Sequence, residues 1–442
     1  MSRGAALLTE GDVRRHLVRL TVPMIGGILA MMSLNVVDTW FVSMLGSAEL
    51  AAMSFTFPVI MVLVSLGIGL MAGTSSVIAR VVGRGDMDRV RRLTTDALIL
   101  SAACALLLSA VGLATIDPLF RLLGADDDLL PLIREYMVVW YLGYVVFLTP
   151  MAGVGAIRAV GDARWQSGIM IVASLVNLVL DPLLIFGLAG FPALGMAGAA
   201  LASVIARGVS LALGFYVLHH RKAMLSFELP GTAEFIDSVR AVGHVALPAA
   251  GTNVIIPLAT GVVVAMVAVH GPDAVAGYGA ASRLESLALV VFFAMSSIIG
   301  PFVGQNLGAG RHDRIHLALK EATLMCLAVG AVAALVMMPA ARVLVGLFSD
   351  DPAVVEHGRA YLLMVAPAFG PAGIVMVVNA AFNGMGRPLP AVVVSTTRMF
   401  IVMVPLAWLG GRLFGVPGIF AGVAAANVAA AAMAWTWFRR TA

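Results

Sequence analysis

The chain has 442 residues, of which 61% are hydrophobic and 12% charged, with a formal net charge of +4. An ordinary soluble chain carries roughly 25% charged residues, so this one cannot cover a water-facing surface, and soluble-enzyme, disordered and collagen-like readings are excluded. What remains is a polytopic membrane protein with lipid as its outer solvent.

The N-terminal segment (MSRGAALLTEGDVRRHLVRL) is polar, mixed in charge and without the short apolar core of a signal peptide. Apolar runs long enough to span a bilayer follow at roughly 17–44, 50–80, 93–116, 132–157, 166–188 and 195–219. A polar stretch, 220–238, interrupts them. Six more runs lie at roughly 241–270, 275–306, 317–339, 355–383, 390–412 and 416–438. The runs are continuously apolar and too long for barrel strands, so the expected class is all-α with twelve transmembrane helices. Cys104 and Cys326 both fall in apolar runs and read as small buried hydrophobes.

Basic residues alternate between the connections. One set holds Arg14, Arg15, Arg19, Arg84, Arg89, Arg91, Arg92, Arg158, Arg164, Arg221, Lys222, Arg240, Arg311, Arg314, Lys320, Arg387, Arg439 and Arg440. The other holds Arg121, Arg342 and Arg412, with Arg134 and Arg359 nearby. This predicts both termini on the cytoplasmic side of a cell inner membrane. No basic run points to nucleic acid.

A shift of 225 residues brings landmarks of the two halves into register, with no gap needed from Pro23 to Gly161. Pro23 falls on Pro248, Gly46 on Gly271, and Gly83 and Gly85 on Gly308 and Gly310. Asp126, Arg134 and Tyr136 fall on Asp351, Arg359 and Tyr361, and Gly161 on Gly386. The chain reads as a tandem duplication of six spans. An even number per half inserts both halves in the same orientation, the parallel-repeat plan of secondary transporters. The expected organisation is an N-terminal lobe (1–220), a cytoplasmic linker (221–238) and a C-terminal lobe (239–442), with a central cavity as the substrate path.

Ionisable residues within spans are functional candidates, because charge is expensive there. Asp38 lies deep in the first span and Asp181 inside the fifth. Asn177 precedes Asp181 by four residues and shares its helix face. Pro182 leaves the carbonyl of Leu178 without its helical partner. These hard oxygens suit a proton or Na⁺ at Asp38, Asn177 and Asp181. A carboxylic acid that titrates near neutral pH can load a proton on one side and release it on the other. Asn35 either joins this network or makes a helix–helix hydrogen bond. The 225-residue shift places Asp38, Asn177 and Asp181 on Val263, Val402 and Leu406, so the constellation belongs to the first half alone. In the second half Arg283, Glu285 and Arg398 lie at or within spans. Arg398 either pairs with Glu285, the preferred reading, or points at a substrate. His270 reads as a helix-end residue. Met31, Met61 and Tyr136 are candidates for lining an adaptable cavity. HExxH, GxSxG, P-loop and complete GxGxxG motifs are all missing, so the chain offers no ATP-driven engine and no enzyme signature.

Several segments together resemble the multidrug and toxic compound extrusion (MATE) family of antiporters, in the branch similar to the DNA-damage-inducible protein F group. They are Pro23 with Asp38, GRGDMDRVRR after span two, AVGDAR (159–164), NLVLDPLLIFG (177–187) with GMAGAALAS (195–203), VGQNLGAGRHD (303–313) and NGMGRP (383–388). The resemblance covers nearly the whole chain. It implies a V-shaped pair of six-helix bundles that exports cationic or amphipathic compounds in exchange for H⁺ or Na⁺. It implies an ion-coupling site at Asp38, Asn177, Asp181 and Ser203, where relatives often carry Thr in place of Ser203. It implies bending of span one at Pro23. The acids that other branches place in the second lobe have no counterpart in span seven. The expectation is therefore a secondary multidrug antiporter without a cofactor, coupled to H⁺ with Na⁺ as the other choice. Its expected partners are drug-like small molecules and membrane lipid, and it is expected to work as a monomer. The rival readings are a flippase for lipid-linked precursors and, behind it, a membrane-embedded enzyme.

Overall fold

A computed structural model describes residues 8–228 and 231–441. Residues 1–7 of the polar N-terminal segment and Leu229–Pro230 of the polar connection lie outside the described residues. Among the described residues, most of the chain from Val13 onward is helical. In order, the first half holds α1 (Val13–Ser43), α2 (Ser47–Arg84), α3 (Met87–Leu122), α4 (Leu130–Leu142), α5 (Tyr144–Ala159), α6 (Ala163–Phe186) and α7 (Gly195–Tyr216). The second half holds α8 (Thr232–Ala268), α9 (Pro272–Ala288), α10 (Val290–Gly308), α11 (His312–Gly346), α12 (Pro352–Val365), α13 (Phe369–Gly384), α14 (Pro388–Thr396) and α15 (Val404–Thr441).

Among the described residues, ten helical stretches are long and apolar enough to cross a membrane, or 11 with the pair α4 and α5, which meets at a 46° bend. One of the ten, residues 388–441, is 54 residues long. That is about 80 Å of helix against a hydrocarbon core of about 30 Å. It is interrupted at Gly415, where φ is 66° and ψ is −149°. The chain folds back there: a Cβ placed on Gly410 would clash with the carbonyl oxygen of Gly418. Two passes result, and the total is twelve spans in two repeats of six. Spans four, eight and ten are each made of two helices, broken at Gly143, at Leu289 and at a tight turn over Ala366–Ala368.

Local signals explain the starts and stops. Asp86 caps α3, its carboxylate accepting from the Arg89 amide at 3.0 Å, and Asp162 caps α6 through the Trp165 amide at 3.3 Å. The glycines that mark the repeat are turn residues in the left-handed region: φ is 81° at Gly85 and 71° at Gly310, and 77° at Gly161 and 75° at Gly386.

The helices form two compact units. Unit 1 holds Gly26–Ala250 and unit 2 holds Leu8–Ile25 with Gly251–Ala442. Helices α1 and α8 therefore each contribute to both units. They change unit after Ile25 and after Ala250, each two residues beyond a repeat proline, Pro23 and Pro248. The described part of the polar connection belongs to unit 1 throughout.

In unit 1, α5 packs against α2, α3 and α7, and α6 packs along α7. Its core holds Trp140, Tyr144 and Ile133, and the Tyr144 hydroxyl donates to the Leu63 carbonyl at 2.9 Å. The Arg-rich motif after α2 anchors the connection. Arg89 pairs with Glu234 at 2.7 Å, and Arg92 donates to the Glu228 carbonyl at 2.7 Å while holding buried Asp96 at 2.6 Å. In unit 2, α13 packs against α10, α11 and α15. The corresponding motif does the same for the segment before α1. Arg314 donates to the carbonyls of Leu8, Glu10 and Gly11 and to Asn306 Oδ1, and Gln305 Oε1 accepts from the Leu8 amide at 3.2 Å. Each motif thus ties down the chain that leads into a unit-changing helix.

The turn at Gly415 gives a direct test. Gly415→Val forces a branched side chain into a backbone region that only glycine occupies readily, at a cost of ~1–3 kcal/mol. The detergent-purified variant should melt several degrees below the wild type, and an unchanged melting temperature would contradict a required turn there.

Candidate ion-coupling site

The fifth span, α6, carries Asn177 and Asp181 one turn apart, and both are buried, Asp181 at 0% exposure. Asn177 Nδ2 donates to Asp181 Oδ1 at 2.6 Å. Ser203, on α7, donates from Oγ to Asn177 Oδ1 at 3.4 Å, a long and weak bond. The chain Ser203–Asn177–Asp181 thus runs from one helix to the next and ends on a carboxylate. Asp181 Oδ2 is buried and has no partner.

Asp38 sits on α1 within unit 1, and its Oδ1 is also buried and without a partner. It lies within electrostatic range of both Asp181 and Tyr136. Tyr136, on α4, is a buried side chain at 4% exposure. The structure therefore gathers Asp38, Tyr136, Asn177, Asp181 and Ser203 in unit 1. The close approach of α1 to α6 is set by Gly27, where a Cβ would lie 3.1 Å from the Ser167 Cα.

Other sequence candidates stand apart. Asn35 is exposed and makes no side-chain hydrogen bond to this group among the described residues; its carbonyl accepts from Thr39 Oγ1 at 2.9 Å. Met31 on α1 and Met61 on α2 are half-buried. Pro23 lies about four turns before Asp38 on the same helix. Cys104 and Cys326 are free thiols. His270 lies in the turn just after α8, with its ring Nδ1 3.2 Å from the Met266 carbonyl.

In unit 2, Glu285 and Arg398 interact electrostatically but form no ion pair within 4.0 Å. Glu285 Oε2 instead accepts from the Tyr361 hydroxyl. The preferred sequence reading of a direct pair is thus corrected: the tyrosine takes the carboxylate. Arg283 is exposed. Two features escaped the sequence reading. Asn379 Nδ2 donates to Ser395 Oγ at 3.0 Å, and the Arg207 guanidinium sits 4.9 Å over the Phe147 ring. A polar residue inside an apolar run was the available signal in both cases.

Twelve spans in two repeats of six, with polar side chains placed inside them, are the plan of a membrane transporter. A family model described as MatE matches twice, over residues 23–183 and 248–409, one match in each half of the chain. The chain belongs to the MATE family of transporters. A protein of Shewanella oneidensis named FAD transporter is 39% identical over 425 residues, covering 95% of this chain and 93% of that one. A Bacillus subtilis protein named probable multidrug resistance protein YpnP is 24% identical, covering 98% of this chain and 96% of that one. Among solved structures, the Vibrio cholerae MATE transporter VcmN in the bent form aligns with a TM-score of 0.92 at 30% identity, covering 97% of this chain and 96% of that one.

The geometry ranks two substitutions. Asn177→Ala removes a short bond to a carboxylate and leaves Asp181 with both oxygens unpartnered, so it should cost ~1.5–3 kcal/mol. Ser203→Ala removes only the long bond and should cost under ~1 kcal/mol. Thermal melts of the purified variants should place Ser203→Ala near wild type and Asn177→Ala clearly below it. The reverse order would contradict the described network.

Proposed function

We propose that the protein is a secondary active efflux antiporter that exports cationic or amphipathic compounds in exchange for H⁺. The observation that carries this reading is the pair of orphaned carboxylate oxygens, Asp38 Oδ1 and Asp181 Oδ2, inside unit 1. A buried polar atom without a partner is costly, and its retention calls for a visiting partner. A proton on Asp181 Oδ2 turns an acceptor into a donor, while Asn177 holds the other oxygen. A cationic substrate competes for the same negative charge. Coupling follows when proton and substrate favour different states of the transporter. Proline leaves the Arg19 carbonyl of α1 without its helical donor, so Pro23 is the natural bending point for that change. Na⁺ is the other candidate cargo, since the two carboxylates, Asn177 Oδ1 and the Leu178 carbonyl are hard oxygen donors. The protein acts as a monomer in the inner membrane with both termini cytoplasmic, and it carries out transport rather than an enzymatic reaction.

A second reading is export of a flavin dinucleotide, an anion. It is favoured by the relative named FAD transporter and by the orphaned guanidinium nitrogen of Arg398 in unit 2.

The test is export of a fluorescent cation from proteoliposomes under an imposed pH or Na⁺ gradient. A pH gradient should drive export, and Asp38→Asn and Asp181→Asn should each cut it about tenfold or more, equivalent to ~1.4 kcal/mol. Gradient-driven export that survives Asp38→Asn at the wild-type rate would sink the mechanism.

A further inference from the structure

Unit 2 carries its own group of polar side chains within the spans, on four helical segments. Glu285 is on α9, Tyr361 on α12 and Asn379 on α13. Arg398 lies in a π-helical turn, Thr397–Met403, inserted between α14 and α15. Such insertions within spans recur at functional sites. Under the 225-residue shift, Arg398, Glu285 and Asn379 correspond to Ala173, Ile60 and Val154, so a fold-wide role does not explain them.

Two atoms here lack partners. Arg398 Nε is buried and unpaired, and so is Asn379 Oδ1. Asn379 is joined to Ser395, which precedes Arg398 by one turn, so both unmet demands arise on one side of this segment. Reversing the Asn379 amide would only exchange which of its polar atoms is left over.

The arrangement keeps Arg398 available. Glu285 is the obvious counter-charge, but its Oε2 is taken by Tyr361. Tyr361 is itself fixed by ring contacts to Tyr278 at 5.3 Å and to Phe420 at 4.9 Å between centroids. Glu285 therefore neutralises Arg398 from a distance without consuming its donors. Arg398 and Glu285 are only half-buried as residues, although Arg398 Nε itself is covered.

A guanidinium with free N–H groups selects a planar or tetrahedral oxyanion, carboxylate or phosphate. The adjacent amide atom selects a hydroxyl, which both donates and accepts. We propose that Arg398 anchors the phosphate of a nucleotide-like exported substrate, with Asn379 taking a neighbouring sugar hydroxyl. This rests on the second reading above, and it gives unit 2 a substrate role distinct from the acid pair of unit 1. Glu285 is the standby counter-ion: it stabilises the empty site and limits affinity, so the anion can leave.

The experiment is equilibrium binding to the full chain in phosphatidylcholine nanodiscs, with no gradient, using FAD and riboflavin as probes. The two share the isoalloxazine ring and ribityl chain, and FAD adds a diphosphate and an adenosine. The dissociation constant for FAD should rise about tenfold or more in Arg398→Gln and recover in part in Arg398→Lys, while riboflavin binding stays unchanged. If Arg398→Gln does not fold, Glu285→Gln serves instead: it keeps an acceptor for Tyr361, removes the competing charge and should tighten FAD binding. FAD that fails to bind the wild type, FAD binding indifferent to these changes, or riboflavin binding that falls in step would each overturn the proposal. The readout needs no ion gradient, so a failure of proton coupling in proteoliposomes would be seen separately.

Discussion

In hydrocarbon a polar atom finds no water, so it must be satisfied by the protein or by what the protein carries. The rest of this structure follows from that constraint. Most charged side chains are placed at helix ends, where several do structural work. Arg314 binds three carbonyls of the segment before α1, and Arg92 is matched by Asp96 and by the Glu228 carbonyl. Among the described charged residues, those with a buried atom lacking a partner are Asp38, Asp96, Asp181 and Arg398. Asp96 already holds Arg92 through its other oxygen, so the unexplained demand falls on two acids in unit 1 and one base in unit 2.

The duplication sharpens the contrast. Tyr136 and Tyr361 are repeat equivalents, and both are buried. Around the first stand Asp38 and Asp181, and against the second stands Glu285 with Arg398 nearby. The same scaffold position has therefore been given acids in one half and a mixed pair in the other. The helix ends and turn glycines stayed alike because the backbone requires them, whereas the span interiors were free to diverge.

Much of this was legible in the residues. Span count, the two halves and the shared face of Asn177 and Asp181 follow from hydropathy, from the 225-residue register and from helical period, and Ser203 joined them through the family resemblance. The pairing of Ser203 with Asn177 needed the packing of α7 on α6, which no local pattern encodes. Breaks within spans four, eight and ten left no mark in hydropathy, because both sides of each break are equally apolar. The fold-back at Gly415 lay between two predicted spans, yet its φ and ψ could not be read from composition. Arg398 looked like a partner for Glu285 because charge alone was visible, while Tyr361, far away in sequence, takes that carboxylate. The unit changes in α1 and α8 were likewise hidden, although the prolines beside them were plain.

The central claim is that substrate and proton compete at the Asp38–Asp181 pair. Counting protons released when a cationic substrate such as ethidium binds the purified protein in weakly buffered detergent, with a pH-indicating dye, tests it most directly. Binding should release up to about one proton per bound cation, and the release should be abolished in Asp38→Asn and in Asp181→Asn. Binding without proton release, or release that persists in both variants, would contradict it.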